Sequence, residues 1–143
     1  MSDKTIILDI VSAEAEVYSG EVSFIAVTGS MGELGIHPGH TALITPIKPG
    51  QVVITVAGSD EEQVFYISGG VLEVQPKKAT ILTDTAIRAG DLDESAAVAS
   101  MERAEKALSD QQGEMEYSTA LSELAEAAAQ LRAIQSLRSR AKK

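Results

Sequence analysis

Residues 79–104 read ATILTDTAIRAGDLDESAAVASMERA, and the composition of the chain changes within this stretch, close to Gly90. Residues 1–90 contain 10 of the 11 Gly, all 4 Pro and 29 Val, Ile or Thr residues. Residues 91–143 contain 1 Gly, no Pro, 3 Val, Ile or Thr and 12 Ala. Because β-branched residues favour strands and Ala favours helices, the sequence predicts an all-β domain over residues 1–88 and an all-α domain over residues 89–143.

The first domain consists of short runs rich in β-branched residues, separated by turn residues that include Ser19-Gly20 and Pro49-Gly50. Turn signals at intervals of roughly 8–12 residues favour a small sandwich or flattened barrel over an α/β sheet. Alternation within residues 22–28 predicts that Val22, Phe24 and Ala26 share one face of a strand. The predicted strands span residues 5–11, 16–18, 22–28, 42–45, 51–57, 63–68, 71–75 and 78–83.

The second domain shows helical periodicity in two segments. Its acidic start, from Asp91 to Glu94, is typical of a helix N-terminus, where carboxylates cap free N–H groups and face the positive end of the helix dipole. The polar stretch 109–113 separates the segments, so the pattern predicts a helical hairpin. Since Ala buries little area, at about 25 cal/mol per Å², we expect this hairpin to be able to open. The apolar stripes are Ala97, Met101, Ala104 and Leu108, then Tyr117, Leu121, Leu124, Ala128, Leu131 and Ile134.

The composition excludes several classes of function. The chain has 12 basic and 21 acidic residues and a net charge of -9, which repels nucleic acid and anionic lipid unless the few basic residues are gathered in one place. The absence of Cys excludes disulfides, thiol nucleophiles and Cys-ligated zinc. No apolar run exceeds five residues, which predicts no insertion into a bilayer. The first four residues lack the layout of a signal peptide, so we predict a cytoplasmic chain.

No motif for catalysis or for a cofactor emerges from the residues. Gly29, Gly32 and Gly35 recur at every third position, which matches neither phosphate-binding glycine pattern, so turn glycines with positive φ are the favoured interpretation. His37 and His40 flank a Pro-Gly turn and are too few to hold a metal. No Ser lies in a nucleophile elbow. The sequence therefore predicts no enzymatic activity, no cofactor and no metal.

Basic residues are concentrated at the C-terminus. The last 12 residues contain no acid, whereas residues 91–131 contain 10 acidic and 2 basic residues. Two interpretations stay open: the cations interact with the helix dipole and improve solubility, or they form a cationic tip that binds an acidic partner. These cations are Arg132, Arg138, Arg140, Lys142 and Lys143.

A set of short segments runs through nearly the whole chain. It consists of Ser12-Ala13-Glu14, Tyr18-Ser19-Gly20, Val27-Thr28-Gly29-Ser30, Gly32-Glu33-Leu34-Gly35-Ile36, Pro38-Gly39-His40, Ile47-Lys48-Pro49-Gly50, Tyr66-Ile67-Ser68-Gly69-Gly70-Val71-Leu72-Glu73-Val74-Gln75-Pro76 and Asp84-Thr85-Ala86-Ile87-Arg88. Each segment alone is a weak signal. In this order and spacing, and followed by an Ala-rich hairpin, they resemble the epsilon subunit of bacterial F-type ATP synthases.

The resemblance implies a sandwich of about ten strands in two sheets, followed by the helical hairpin. It implies a non-catalytic rotor subunit of the central stalk that binds the gamma subunit, the c-subunit ring and, conditionally, the alpha and beta catalytic subunits. Such a subunit couples proton flow to ATP synthesis, restrains ATP hydrolysis through its C-terminal helices, and lies peripherally at the cytoplasmic face of the bacterial inner membrane. The alternative is an unrelated adaptor or inhibitor with the same fold.

The resemblance also assigns two contact regions on the sandwich. The gamma subunit is expected to contact Ser12, Ser68, Gly69 and Gly70. The glycine pair has two open explanations, a close backbone approach and a plain tight turn. The c ring is expected to contact a loop formed by Glu33, Leu34, Gly35, Ile36, His37, Pro38, Gly39 and His40.

For the helical domain the resemblance implies a regulatory role of the five C-terminal cations and a degenerate nucleotide site. Some relatives bind ATP through a hairpin motif that corresponds here to Leu92, Asp93 and Ala96. Ala96 stands in place of the motif's Arg, and Glu126 stands where such relatives carry a basic residue. Since a triphosphate needs cationic donors, we predict that this chain does not bind ATP.

Overall fold

A computed structural model describes residues 4–29, 31–109 and 116–141 of the chain. Within them, eight strands are followed by a short 3-10 helix, Ala89–Asp91, and two α-helices. The strands are β1 (Ile6–Val11), β2 (Glu16–Gly29), β3 (Gly32–Ile36), β4 (Leu43–Val56), β5 (Glu62–Ile67), β6 (Gly70–Gln75), β7 (Lys78–Thr83) and β8 (Ala86–Arg88). The helices are α1 (Glu94–Ser109) and α2 (Tyr117–Ala141).

Two long strands, β2 and β4, fold the sheet into two layers. The first half of β2 pairs with β1, and its second half pairs with β3 and β4. The first half of β4 pairs with β6, and its second half pairs with β5 and β2. The first layer therefore has the order β2-β1-β7-β6-β4, and the second layer has the order β3-β2-β4-β5-β8.

Both long strands contribute to both layers, so the eight strands supply ten segments of a two-layer sandwich. The predicted fold class, a β-sandwich followed by a helical hairpin, is confirmed. Two expected strand breaks are wrong, because Ser19-Gly20 lies inside β2 and Pro49-Gly50 lies inside β4. Gly50 serves the passage of β4 between the layers, since a Cβ there would lie 2.6 Å from the Cβ of Thr28. The strands β3 and β8 are not predicted from the sequence, because they lack a run of β-branched residues.

A β-bulge in β2 changes which of its residues share a face. The register of β2 against β4 shifts between Val22 and Phe24, and Val22, Ile25 and Val27 are all fully buried. The predicted common face of Val22, Phe24 and Ala26 is therefore wrong. Strict alternation fails here because a bulge adds one residue to one strand and not to its partner.

A single cluster of apolar side chains fills the space between the layers. β5 contributes to two regions, since Phe65 and Ile67 enter this core while Val64 and Tyr66 face the opposite side, beneath α2. Burying a large apolar side chain contributes about 1.5–3 kcal/mol, so the core accounts for much of the sandwich's stability. It is formed by Ile6, Leu8, Ile10, Val22, Ile25, Val27, Ile36, Ile47, Val52, Ile54, Phe65, Ile67, Leu72, Val74, Ala79 and Ile81.

The second helix lies between α1 and the outer face of the second layer. Ala129 and Ala133 of α2 pack against Val53, Val64 and Tyr66 of the sheet. These small side chains let the helix backbone approach the strands closely but bury little area. In the described part of the chain, neither helix combines the length and the apolar character needed to cross a membrane.

The apolar stripes predicted for the helices are partly confirmed. Ala97 and Ala104 of α1 are buried, but Tyr117 and Leu121 of α2 are 70% and 44% exposed. Ile134 of the predicted stripe is buried, and the other buried residues of α2 are Ala120, Ala127, Ala129 and Ala133. Close approach to α1 and to the sheet therefore decides which face of α2 is buried. The predicted break at residues 109–113 falls mostly outside the described residues.

Candidate interaction surfaces

The four residues expected to contact the gamma subunit come together at one end of the sandwich. Ser12 lies between β1 and β2, whereas Ser68, Gly69 and Gly70 lie at the junction of β5 and β6. They line one open groove of about 410 Å³. The other lining residues are Val11, Ala13, Leu82, Thr83 and Asp84.

The two serines of this groove hold its walls in place. The Ser12 hydroxyl donates to the Ala15 carbonyl at 3.1 Å and accepts from the Ala15 N–H at 3.2 Å. The Ser68 hydroxyl accepts from the Thr85 N–H at 3.1 Å and lies 3.3 Å from the Thr83 hydroxyl. Both serines therefore fix the chain segments that form the walls of the groove.

The glycine pair is required by a close backbone approach. Gly69 and Gly70 have φ values of +108° and +142°, in the region that favours glycine. A Cβ at Gly70 would lie only 2.0 Å from the carbonyl oxygen of Leu82 in β7. Of the two open explanations, close approach therefore accounts for Gly70.

An apolar row crosses the outer face of the first layer beside the groove. Val11 lies opposite Leu82, Leu82 lies opposite Val71, and Val71 lies opposite Pro46. Leu82 and Val71 are 51% and 40% exposed. The row is not covered by α2, which packs on the other layer. Because the row and the groove share Val11 and Leu82, they form one continuous surface, which we call the groove face.

The c ring is expected to contact a loop over residues 33–40, and the prediction of a loop is wrong for the first half of this segment. Glu33 lies in β3, opposite Thr28, and is exposed. A turn follows β3, in which the Gly39 N–H donates to the Pro76 carbonyl at 2.8 Å and the His37 ring lies 4.6 Å from that of Phe24. At about 3.3 Å per strand residue, Glu33 and His37 are about 13 Å apart. The segment is thus an edge strand plus a turn.

The remaining residues of that segment differ in burial. Ile36 is fully buried opposite Ile25, and Leu34, Pro38 and His40 are half-buried. Gly35 and Gly39 are exposed, and Gly39 has a positive φ of 85°. Of the three glycines predicted to be turn glycines, only Gly32 has a positive φ; the prediction is wrong for Gly29 and Gly35, because pairing keeps β2 and β3 extended there. Among the described residues, no three His, Cys, Asp or Glu side chains are grouped as metal ligands.

The cationic end of α2 is paired within the chain. Arg138 donates to both carboxylate oxygens of Glu94 in α1, at 3.2 and 2.5 Å. Arg140 donates to Glu62, at the start of β5, at 3.1 Å. The hydrogen bond and charge of Arg138 lower the pKa of Glu94. Of the other predicted cations, Arg132 is exposed, and Lys142 and Lys143 lie outside the described residues.

Two further polar contacts attach α2, and neither is predicted from the sequence. Arg103 and Ser100 of α1 donate to Glu123, which lowers the pKa of that carboxyl. The Tyr66 hydroxyl donates to Glu126 at 3.4 Å. Burial and the neighbouring charge of Glu126 raise the pKa of Tyr66 to about 12. The sequence does contain a signal for the burial of Tyr66. The apolar run 64–67 does not alternate with polar residues, which indicates a strand that is buried on both faces.

The degenerate nucleotide motif serves the start of α1. Asp93 caps the helix, since its carboxylate accepts from the Ala96 N–H at 3.1 Å. Leu92 packs against the cluster beneath α2, and Ala96 is exposed. The groove between the helices is lined by Glu123 and Glu126 with Ser100, Thr119, Ser122, Ala127 and Gln130. Two carboxylates in this groove do not fit a triphosphate, which carries the same sign of charge.

The fold and these surfaces define a class of protein, a chain made of a β-sandwich and a helical hairpin that carries an exposed apolar row on one face of the sandwich. Two family models match the chain. The model described as "ATP synthase, Delta/Epsilon chain, beta-sandwich domain" covers residues 5–89. The model described as "ATP synthase, Delta/Epsilon chain, long alpha-helix domain" covers residues 91–135.

Full-length relatives agree with these matches. The ATP synthase epsilon chain of Halorhodospira halophila is 50% identical over 139 residues, which cover 97% of this chain and 99% of the relative. That of a Janthinobacterium species is 53% identical over 134 residues, which cover 94% of this chain and 96% of the relative. The chain therefore belongs to the ATP synthase epsilon-chain family. This confirms the resemblance and the prediction of a subunit without a catalytic site of its own, and it excludes an unrelated adaptor.

Solved structures share the fold. A chain of the Euglena gracilis mitochondrial ATP synthase (OSCP/F1/c-ring) aligns with a TM-score of 0.71 at 20% identity, covering 96% of this chain and 81% of that chain. A chain of the Tetrahymena thermophila mitochondrial ATP synthase central stalk and c-ring aligns with a TM-score of 0.57 at 15% identity, covering 94% and 99%. At these identities the likeness shows the fold alone.

Proposed function

We propose that this chain is the rotor subunit of the central stalk that couples the c-subunit ring and the gamma subunit to the catalytic head in proton-driven ATP synthesis. Its C-terminal helices restrain ATP hydrolysis through conditional contact with the alpha and beta subunits. The subunit lies peripherally at the cytoplasmic face of the bacterial inner membrane. Membership of the epsilon-chain family supports this assignment.

The groove face is the proposed contact surface for the gamma subunit. Its apolar row leaves Leu82 and Val71 about half exposed beside a groove that three chain segments line. Exposed apolar side chains in a contiguous row mark a docking surface. Gly70 brings the backbones of β6 and β7 close together, and this close packing supports the wall of the groove.

Charge placed in the apolar row tests this docking. We expect Val71→Glu with Leu82→Glu to abolish co-purification with the gamma subunit and to uncouple ATP synthesis, because both carboxylates would be desolvated at the contact. Thr80→Glu is the matched control, since Thr80 lies on the same strand and face but outside the row. Normal assembly of the double variant would contradict the gamma contact.

The edge formed by β3 and its following turn is the proposed contact for the c ring. Glu33 is exposed on β3, and a carboxylate there can pair with basic residues of the ring's polar loops. We expect Glu33→Lys to weaken coupling without unfolding the sandwich, because an exposed side chain contributes little to the core. Proton pumping equal to that of the wild type would contradict this contact.

The hairpin is the proposed inhibitory element. With 25 residues, α2 is about 38 Å long at about 1.5 Å per residue, and a straightened hairpin would be about twice that length. Such a reach carries the cationic end from the foot of the stalk towards the catalytic head. We expect an enzyme that lacks residues 91–143 to assemble and synthesise ATP but to hydrolyse ATP faster. Equal hydrolysis rates with and without the hairpin would contradict inhibition.

The nucleotide motif is proposed to be inactive. Ala96 offers no donor, and the groove between the helices carries Glu123 and Glu126. We expect calorimetry on the full chain to detect no ATP binding at millimolar concentration. A sub-millimolar dissociation constant would contradict this proposal.

A further inference from the structure

Two kinds of side chain line the groove of the groove face, which has a volume of about 410 Å³. Val11 and Leu82 lie opposite each other in β1 and β7 and form an apolar wall, and Leu82 is 51% exposed. The polar side chains are three hydroxyls and the carboxylate of Asp84, the residue that follows β7. A partner side chain that fills this groove must therefore combine an apolar part with a polar end.

The three hydroxyls already donate their protons inside the chain, and each hydroxyl has only one proton to donate. That of Ser12 goes to the Ala15 carbonyl at 3.1 Å, and that of Thr83 goes to the Thr85 carbonyl at 3.1 Å. Because the Thr83 proton is used there, the 3.3 Å contact between the Ser68 and Thr83 hydroxyls takes its proton from Ser68. Within the described part of the chain, no hydroxyl that lines the groove keeps a proton for a partner.

The carboxylate of Asp84 is the group of the groove that can still bind a partner. Its side chain is exposed and forms no hydrogen bond or ion pair among the described residues. Its backbone carbonyl accepts from the Ala13 N–H at 3.4 Å, which fixes the position of the residue. A carboxylate accepts hydrogen bonds and does not donate them. The described side chains of the groove therefore offer acceptors and one negative charge, but no donor.

The charges around the groove are mostly of the same sign. Glu14 lies in the turn that Ser12 stabilises, where the Glu14 N–H donates to the Ser12 hydroxyl at 3.3 Å, and Glu16 lies opposite Val11 at the start of β2. Both glutamates are exposed. Of the cations described in the sandwich, Lys48 in β4 is the one at this end. The electrostatic potential at the groove therefore favours a cation.

We propose that the groove receives one Arg or Lys side chain of the gamma subunit, with its aliphatic stem against Val11 and Leu82 and its cationic head on Asp84. This inference rests on the proposed docking of gamma at the groove face. Long basic side chains bury their stems along apolar surface and keep the charged head at a polar edge. An acidic side chain would be repelled by Asp84, and an apolar one would bury this carboxylate without a partner, which is unfavourable.

Binding of the full chain to an ATP synthase from which this subunit has been removed tests the proposal. We expect Asp84→Asn to lower the affinity about five- to twentyfold, between the values for exposed and for buried charge pairs. Asp84→Glu keeps the charge and should stay within about twofold of the wild type. Asp60→Asn is the matched control, since Asp60 is an exposed aspartate in the loop between β4 and β5, at the opposite end of the sandwich.

Salt and urea distinguish the loss of a charge pair from a loss of folding. Higher ionic strength should weaken the binding of the wild type more than that of Asp84→Asn, because salt screens the pair. The urea midpoint of Asp84→Asn should equal that of the wild type, and a fall would assign Asp84 a structural role and overturn the proposal. Equal affinity of Asp84→Asn and the wild type, or equal losses in Asp84→Asn and Asp84→Glu, would also overturn it.

The variant Val71→Glu with Leu82→Glu distinguishes this inference from the docking on which it rests. If that variant loses binding while Asp84→Asn binds like the wild type, gamma docks at the groove face without a cation in the groove, and the inference alone fails. If both bind like the wild type, the docking fails, and the inference fails with it. Loss of binding in the double variant together with the graded loss in Asp84→Asn supports both.

Discussion

The interior of the sandwich and the contact beneath α2 lie on opposite faces of the same strand, β5. On one face, Phe65 and Ile67 join a core of large branched side chains. On the other, Val64 and Tyr66 meet alanines and a carboxylate. The difference teaches that large apolar side chains close one face, whereas small side chains and a few polar contacts hold the helix on the other. Residue size separates the two.

The largest effect is expected from truncation of the interior. Leu72 is fully buried between the layers. Leu72→Ala removes buried methyl groups and leaves a cavity, so the free energy of unfolding should fall by about 2–5 kcal/mol. Urea denaturation of the full chain measures it, with Leu121→Ala on the exposed side of α2 as control. A loss below about 1 kcal/mol would mean that the core can collapse around the cavity.

A smaller loss is expected at the glycine of the groove face. Gly70→Ala combines an unfavourable φ with a clash against the Leu82 carbonyl, so it should lower the free energy of unfolding by about 1–3 kcal/mol or more. Gly58→Ala is the control, because Gly58 also has a positive φ but open space around its Cβ position. Equal losses in the two variants would show that conformation alone, and not close approach, requires Gly70.

The contact beneath α2 should break without loss of the sandwich. Ala133→Asp buries a carboxylate against Val53 and Val64, which disfavours docking. In a chain that also carries Val64→Cys beneath α2, a thiol reagent should then label this cysteine as if it were exposed, while the urea midpoint of the sandwich shifts little. Ala125→Asp, on the exposed side of α2, is the matched control. Cooperative loss of the sandwich as well would mean that the two regions form one folding unit.

The smallest effect is a pH dependence of the same contact. The pKa of Tyr66 is raised from 10.0 to about 12 in the folded chain. The protonated side chain therefore stabilises the folded state below pH 10, and this stabilisation is lost as the pH rises towards 12. We expect Glu126→Gln to lower this pKa, because a neighbouring negative charge is removed. Absorbance titration of tyrosinate measures it, with Tyr66→Phe to identify the signal and Tyr117→Phe as control. An unchanged titration would assign the whole shift to burial.

Local composition accounts for what the sequence predicts well. Loss of β-branched residues and gain of Ala after Gly90 indicate the change from strands to helices, and both preferences act within a few residues. The end of β8 at Arg88 and the cap at Asp93 follow from residues close by in the chain. The predicted segments at 71–75 and 78–83 lie within β6 and β7 for the same reason.

The predictions that failed depend on partners far away in the chain. Pro49-Gly50 reads as a turn, yet β4 passes through it because pairing with β6 on one side and β5 on the other keeps the strand extended. The bulge after Val22 and the strand conformation of β3 are likewise decided by neighbouring strands. In α2, the larger Tyr117 and Leu121 are exposed. The buried positions are held by alanines, because the α2 backbone lies close to α1 and to the sheet and leaves room only for small side chains.

The sequence by itself determined the two-part architecture, the absence of cysteine chemistry and the cationic end of the chain, because these depend on residue type and local preference. Only the tertiary structure decided that Ser12 and Gly70 share a groove, and that Arg140 meets Glu62 across 78 positions of sequence. Such contacts require the layers to be paired and the helix to be docked. Their free energy is a small difference between burial, pairing and desolvation, which no local pattern encodes.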